Sequence, residues 1–404
     1  MKFGHSKSES KAVGKRVCMI AYTNYSTDPR VRREAETLAR HWNSVVCLAL
    51  CENTVAQTYE LRGVTVRELP VRKYRGKSNG AYIRSYISFL MRALAACTRL
   101  TLNKQFDAVH IHNMPDFLVF AAIVPRLLGK KIILDVHDSM PETYASKFGK
   151  SSRLIFNVLC LEETICCRLA HKVICVNDIQ RNALVGRGIP RSKTAVVLNV
   201  PDHHIFKVDE VTGNGRRNGE PAAFRVVYHG TIDLAAGLDL AIEAITSLVR
   251  VIPDLEFHVL GTGKDLEECV AMAQRLGVKD RVRFSRKMFP VHDLPEHLKD
   301  MDVGVIPNRM NTATELQLPV KMLEYVALGI PVVGARLKTI QHYFTAEMIS
   351  YFEPGNANSL AAAIHGLWIN KEKRDDQVLK AQAFFDTYGW EKHQMDLLRL
   401  YETV

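Results

Sequence analysis

The sequence holds no C-x-x-C pair. Its nine cysteines are scattered, most of them inside apolar runs, which excludes thiolate zinc motifs and a secreted disulfide framework and leaves them as reduced core thiols. Long hydrophobic runs are missing too: the longest, Phe117 to Pro125, is about half the length of a bilayer-spanning helix. The first dozen residues are polar and rich in Lys and Ser with no apolar stretch behind them, so residues 1–15 read as a flexible tail rather than a signal peptide. Acidic residues are absent from 69–106, where Arg72, Lys73, Arg75, Lys77, Arg84, Arg92, Arg99 and Lys104 fall. Aromatics make up only 8%, and no base-reading pattern accompanies those cations, which argues against nucleic acid as a partner.

What is present is ample core material. With 404 residues, 47% of them hydrophobic and 24% charged, the chain is long enough for two or three domains. The formal net charge of +11 is uneven: residues 1–205 hold 31 basic and 16 acidic side chains, residues 206–404 hold 23 and 27. The basic surface belongs to the first half.

From residue 16 short apolar β-runs (17–21, 45–50, 64–69, 108–111, 132–136, 173–176, 195–198) alternate with helical patterns at 30–41, 81–102, 116–128, 151–170 and 179–187. Such alternation predicts a doubly wound, mainly parallel sheet. The polar, Gly-rich stretch 207–222 reads as a linker. A second alternating set follows: strands 224–229, 255–260, 281–285, 302–306 and 331–334, with helices 238–250, 264–276 and 320–328. The expected organisation is α/β with two Rossmann-like domains, 16–206 and 223–385, facing a cleft, and a final helical segment, 386–404, that packs back on the first domain. Ligands in such sheets bind beyond the carboxyl ends of strands.

Several loops at those ends carry candidate chemistry. Pro319 opens a helix with Leu323, Val326 and Ala327 on one face and Gly329 at its end; Lys321 in its first turn suits a phosphate, and Glu324 one turn on suits sugar hydroxyls. Gly230-Thr231 and Gly261-Thr262-Gly263 follow strands, and their backbone amides are expected to converge on a phosphate. Asp28-Pro29 reads as a helix cap. Arg30, Arg32 and Arg33 sit at that helix's positive end and call for an anion there. His110 and His112 alternate along a strand with no third metal ligand evident, so one reads as structural and the other as bordering the cleft. His137 closes a strand within a polar, helix-breaking loop, Asp138-Ser139-Met140-Pro141, which suits contact with a polar substrate or a proton shuttle. The segment 81–102 forms a basic amphipathic helix, equally suited to an anionic membrane surface and to plain core packing.

At these residues the chain resembles the family-4 retaining glycosyltransferases of the GT-B fold. The resemblance rests on Tyr25-Ser-Thr-Asp-Pro-Arg-Val-Arg-Arg-Glu-Ala, Val109-His-Ile-His-Asn-Met-Pro-Asp-Phe, Leu134-Asp-Val-His-Asp, Leu198-Asn-Val-Pro-Asp, Tyr228-His-Gly-Thr, Gly261-Thr-Gly and Leu318-Pro-Val-Lys-Met-Leu-Glu-Tyr-Val-Ala-Leu-Gly-Ile-Pro-Val-Val, in the family's order across residues 16–404. It implies a nucleotide-sugar donor on the second domain, an acceptor on the first, and transfer with retention. Glu324 would then bind the ribose, Lys321 and the Gly230 and Gly261 loops would lie near the diphosphate, His137 would contact the donor sugar, and Phe284 to Val291 would border the base. Asn24, Asp28, Arg30, His112 and Asn113 would lie on the acceptor side. Family members usually need neither a metal nor another cofactor, because positive groups and a helix N-terminus stabilise the leaving diphosphate.

Two departures stand out. The family's paired glutamates are commonly separated by seven residues, whereas Glu315 and Glu324 are separated by eight; either the loop is one residue longer or the amides of Leu316, Gln317 and Leu318 take over a sugar contact. The loop after Gly230-Thr231 usually carries a basic residue, and Leu234-Ala235-Ala236-Gly237 has none, leaving Arg309 or Lys321 to compensate. The expected function is transfer from a UDP-sugar, or else a GDP-sugar, to a hydroxyl of a lipid-linked saccharide, by a cytoplasmic protein peripheral to the membrane. The alternatives are a catalytically weak nucleotide-sugar-binding scaffold and a GT-B-fold sugar-nucleotide epimerase.

Overall fold

The computed structural model describes residues 15–41, 44–53, 55–74, 79–148, 153–206 and 223–403. These fall into two compact units, one drawn from Met1–Tyr144, Lys150–Val197 and Gln394–Val404, the other from Ala145–Gly149 and Leu198–His393. The linker expected at 207–222, the tail up to residue 14, and Arg75 and Lys77 lie outside the described residues.

The first unit carries β1 (Arg16–Ala21), β2 (Ser44–Leu50), β3 (Thr58–Leu61), β4 (Val64–Leu69), β5 (Ala108–His112), β6 (Lys131–Val136), β7 (Lys172–Cys175) and β8 (Thr194–Val196) in one sheet, ordered β3-β4-β2-β1-β5-β6-β7-β8. Every pairing is parallel except the edge pair β3 and β4. Strand β5 is buried along its whole length, as a parallel strand covered on both faces must be. The unit's helices are α1 (Pro29–His41), α2 (Asn79–Leu102), α3 (Ile123–Leu127), α4 (Met140–Phe148, which runs on into the second unit's residues), α5 (Arg153–Leu169) and α6 (Asp178–Gly186). Helices α2 and α5 both pack against the 3-10 segment Asp116–Ala122. Phe89, Cys97, Leu118 and Cys166 from these elements share one apolar core with Ile20, Leu48, Ile111 and Leu134 of the sheet.

The second unit holds β9 (Phe224–His229), β10 (Leu255–Leu260), β11 (Val282–Phe284), β12 (Val303–Ile306), β13 (Val332–Ala335) and β14 (Ser350–Phe352), all parallel, ordered β11-β10-β9-β12-β13-β14. Its helices are α7 (Leu238–Leu248), α8 (Leu266–Arg275), α9 (Leu294–Leu298), α10 (Val320–Ala327), α11 (Lys338–Tyr343), α12 (Ala357–Ile369), α13 (Lys371–Gln382) and α14 (Phe384–Tyr388). Helix α15 (Trp390–Glu402) follows, its residues from Gln394 on counting with the first unit. Helix α10 closes as its sequence dictates. Gly329 adopts φ +70°, its amide donates to Val326 and that of Ile330 to the Tyr325 carbonyl, a Schellman ending that lets β13 start at once.

Three expectations are corrected. The helix expected over 116–128 is a 3-10 segment, Asp116–Ala122, followed by the short α3, because Pro125 lacks the amide that a continuous α-helix would bond to Ala121. The loop expected at Met140-Pro141 opens α4 instead; Pro141 lies in the first turn, where its missing N–H has no partner to lose. Strands β3 and β14 were not expected.

Candidate functional site

In the second unit the strand ends meet at two glycines. Gly230, after β9, has φ +108°, and a Cβ on Gly261, after β10, would stand 1.9 Å from the Gly230 carbonyl oxygen. A Cβ on Gly263 would stand 2.0 Å from that of Ile232. The glycines are thus required for two loops to cross backbone on backbone. This corrects the expected role of two of the loop amides, since that of Gly230 donates to Leu260 (2.9 Å) and that of Gly261 to Ser285 Oγ (3.0 Å). Thr231 accepts the Tyr228 hydroxyl on its carbonyl.

Lys321 of α10 lies over this crossing. Its Nζ is 3.6 Å from where a Gly230 Cβ would be and 4.0 Å from the Tyr228 ring centre. Burial pushes the ammonium down to about 8, against the pull of Asp233 and Glu324. Among the described residues no carboxylate comes within ion-pairing distance of it. One turn on, buried Glu324 places Oε2 2.6 Å from His229 Nε2. The next residue, Tyr325, accepts the His229 amide on its hydroxyl (3.0 Å) and lies 3.3 Å from the Val227 carbonyl. His229 was not singled out in the sequence; its place as the last residue of a strand, directly before Gly230, is the signal that could have found it. Its buried Nδ1 has no partner among the described residues.

Glu315 sits in a 3-10 turn, Thr314–Leu316, with its carbonyl accepting from Thr339 Oγ1 (2.6 Å) and its buried Oε1 without a partner among the described residues. The amides of Leu316 and Gln317 bond Ala313 and Thr314 within that turn, so they do not replace a carboxylate; the open acceptor is Glu315 itself, and Leu318 only leads into α10. Arg309 is less available than expected: its guanidinium pairs with Asp239 and its amide with the Ala235 carbonyl, although its buried Nε has no acceptor among the described residues. Asp233 caps the Ala236 amide (2.9 Å).

In the first unit the strand ends carry a buried ion network. Arg30 is 3% exposed and clamps Asp135 through Nε (2.9 Å) and Nη2 (2.8 Å), with Glu34 Oε1 at 3.2 Å. The anion that its helix position called for is therefore Asp135, two strands away, and Arg30 is not an acceptor contact. His112 Nδ1 and His137 Nε2 lie 3.2 and 3.0 Å from Asp135 Oδ2. His110 Nδ1 is 2.8 Å from the Tyr401 hydroxyl of α15. Burial would raise Asp135, but Arg30 and His137 hold it well below the carboxylate range. Burial would lower His137, but Asp135 keeps it above the usual imidazole range. Burial, with His112 adding to it, holds His110 well below that range.

The remaining expectations resolve as follows. His110 and His112 are both buried, so neither is a surface contact. Asn113 spends its amide on Asp116 (2.7 Å) and the Asp138 carbonyl (2.8 Å), and its oxygen accepts the His137 amide (2.7 Å); it braces the loop. Asp28 Oδ1 caps the Val31 amide at 3.1 Å. Asn24 Oδ1 is buried with no partner among the described residues. His137, with 23% of its side chain exposed, is the network's outlet to the surface.

The missing third metal ligand is present after all: Glu34, His110, His112 and Asp135 bring donor atoms within 4.8 Å of one another. Arg30 already holds both carboxylates, so a divalent ion would add charge beside a buried cation, and the cluster is an ion-pair network. A D-x-D spacing at Asp300-Met301-Asp302 lies at the amino end of β12, where Asp302 Oδ2 accepts the Arg225 amide (2.9 Å).

The model for Glycosyltransferase Family 4 matches residues 30–204, and that for Glycosyl transferases group 1 matches residues 223–370. Over 102 residues the chain is 37% identical to the GDP-mannose-dependent alpha-(1-6)-phosphatidylinositol monomannoside mannosyltransferase of Mycolicibacterium smegmatis, covering 25% of this chain and 26% of that protein. Over 214 residues it is 25% identical to the putative colanic acid biosynthesis glycosyltransferase WcaL of Escherichia coli, covering 52% and 51%. The matched stretches thus span about a quarter and about half of those relatives' length. The structure of Anabaena HepE in complex with UDP aligns with TM-score 0.70 at 13% identity, covering 96% of this chain and 100% of that one, a likeness of fold.

Proposed function

The chain belongs to the family-4 glycosyltransferases of the GT-B fold, and from that premise we propose that it transfers a sugar from a nucleotide-sugar donor to a hydroxyl of a glycan acceptor, with retention at the anomeric carbon. The observation that carries the reading is Lys321: a lysine pushed down to about 8, over a glycine crossing at strand carboxyl ends, with no carboxylate paired to it among the described residues. A half-buried cation in that position is completed by a diphosphate. Glu324, held by His229, takes the ribose hydroxyls, and Glu315, through its open Oε1, takes hydroxyls of the transferred sugar.

Transfer proceeds by front-side attack. The acceptor oxygen bonds to the anomeric carbon on the face from which the carbon–oxygen bond to the β-phosphate breaks, and the hydroxyl proton passes to the departing phosphate oxygen. Lys321 stabilises the charge developing there, so neither a metal nor a carboxylate base is needed. His137 acts in the transfer step rather than in holding the nucleotide. We favour a UDP-sugar, which the UDP complex of HepE supports, over the GDP-mannose that the mycobacterial relative's name specifies. That name, with its phosphatidylinositol mannoside, also supports a lipid-linked saccharide as acceptor.

Thermal midpoints with UDP, GDP and ADP test the donor, since a ligand at about 100 times its dissociation constant stabilises by about 2.7 kcal/mol. No shift with any of them removes the reading. One observation favours a second reading, a binding scaffold with weak activity: Arg309 is tied to Asp239 and Ala235-Ala236 supply no cation. A UDP shift with neither transfer to membrane extract nor donor hydrolysis selects it.

A further inference from the structure

We propose that the outer face of the first unit formed by α2, the 3-10 segment Asp116–Ala122 and α5 is a docking surface for an anionic lipid bilayer, with α5 as its apolar centre. Among the described residues no helix is long and apolar enough to cross a membrane. Instead, two helices that pack against the same segment, Asp116–Ala122, leave apolar stripes in water. On α5, Leu154 (70% exposed), Val158, Leu161 (60%) and Ile165 recur three or four residues apart on the outward face. On α2, Ile83, Ile87 and Met91 do the same. Phe120, on the segment that both helices pack against, is also exposed. Ordinary surfaces carry such residues singly; a joined patch marks a binding face.

The charges choose the occupant. Arg84, Arg92 and Arg99 of α2 and Arg153 and Arg168 of α5 are exposed, whereas the acidic residues of α5 turn inward, with Glu163 fully buried against Arg187 and Glu162 partly so. Every fully exposed charge on the two helices is therefore positive. A second copy of the chain meeting this face would set arginine against arginine, while anionic lipid meets cation with anion and apolar stripe with acyl chain. The sequence pointed to α2 alone; α5 carries two acids and does not read as basic until the fold shows where they point. The inference extends the proposed function by naming where a lipid-linked acceptor's membrane is met, but it stands on this face and not on the donor site.

The test is sedimentation of the full chain with phosphatidylcholine vesicles, with and without phosphatidylglycerol. The chain is expected to sediment with the anionic vesicles. Arg84→Ala with Arg92→Ala lowers that affinity by about 25-fold, at about fivefold per arginine, and Val158→Glu with Leu161→Glu abolishes sedimentation. Equal recovery with neutral and anionic vesicles, or glutamate variants that sediment like the parent, overturns the proposal. So does a dimer in light scattering that these glutamates disperse without any vesicle binding. The UDP midpoint shift, read on the same variants, keeps the two proposals apart: it stays unchanged if only the lipid face is lost.

Discussion

Replacing Lys321 by methionine separates a ligand-binding lysine from a structural one, because the two roles move apo stability and UDP binding in different ways. The fall of the Lys321 pKa from 10.5 to about 8 corresponds to about 3 kcal/mol held against the charged form in the folded chain. The contact with the Tyr228 ring at 4.0 Å returns about 1–2 kcal/mol of that. Methionine keeps most of the side-chain volume and removes both, so the apo midpoint is expected to stay level or rise slightly. The nucleotide loses a charge-assisted contact worth about 1.5–3 kcal/mol, which weakens UDP by about 10- to 150-fold. At a concentration that stabilises the parent by about 2.7 kcal/mol, the variant gains about 1.4 kcal/mol or less. The pH dependence follows from the same shift. Between about pH 8 and 10.5 the unfolded chain holds a proton that the folded chain has released, so apo stability rises with pH through that window. A bound diphosphate draws the proton back, so UDP stabilisation is full below about pH 8 and fades above it. Differential scanning of parent and variant from pH 7 to 9 reads all of this. An apo midpoint that drops by several degrees while the UDP shift stays intact would sink the assignment.

Other substitutions have equally definite outcomes. Gly261→Ala forces a methyl into the Gly230 carbonyl, so the loops must separate; the midpoint falls and the UDP shift is lost together, whereas a retained shift would show that the crossing does not shape the site. Arg30→Ala leaves Asp135 and Glu34 buried without their cation and is expected to cost about 3–5 kcal/mol in urea unfolding; a loss under 1 kcal/mol would mean that water serves as well. His137→Ala should lower turnover and leave the UDP shift unchanged, and a matching loss of both would assign His137 to nucleotide binding. His110, held below the usual imidazole range, makes the folded chain bind fewer protons than the unfolded one below about pH 6.5, so its contribution to stability is lost as pH falls through that value. An H110F variant should flatten that limb of the stability profile.

Local pattern carried the second unit far. Pro319, Leu323, Val326 and Gly329 place Lys321 and Glu324 on one short helix because helix starts, faces and ends are written within a few residues. What stayed hidden were bonds between distant positions. Glu324 and His229 meet across 95 residues, and no spacing within either loop announces the other. Arg30 shows the same limit from another side: its place at a helix's positive end correctly demanded an anion, but the anion is a strand residue 105 positions on rather than a ligand. Strand β3 alternates exposed and half-buried residues at a sheet edge, so its apolar signal is weak. Pro141 read as a breaker because the sequence does not say whether a proline stands before a helix or inside its first turn.

The two strand-end constellations differ in the charge they leave uncompensated, and that difference divides their labour. In the first unit Arg30 and the raised imidazole of His137 offset the carboxylate of Asp135, and Glu34 is pushed toward its neutral form by burial. Its charges are offset within the network, although both Glu34 oxygens, His110 Nε2 and His112 Nε2 have no hydrogen-bond partner among the described residues, and the His137 ring is partly in water. Among the described residues of the second unit an ammonium has no paired carboxylate, a buried Glu315 oxygen has no donor, and His229 Nδ1 has no partner. Buried groups left unmatched in this way are unfavourable in the apo chain. A molecule bearing a diphosphate beside several hydroxyls answers the ammonium and the carboxylate at once, which is why a nucleotide-sugar fits the second unit better than a phosphate or a sugar alone.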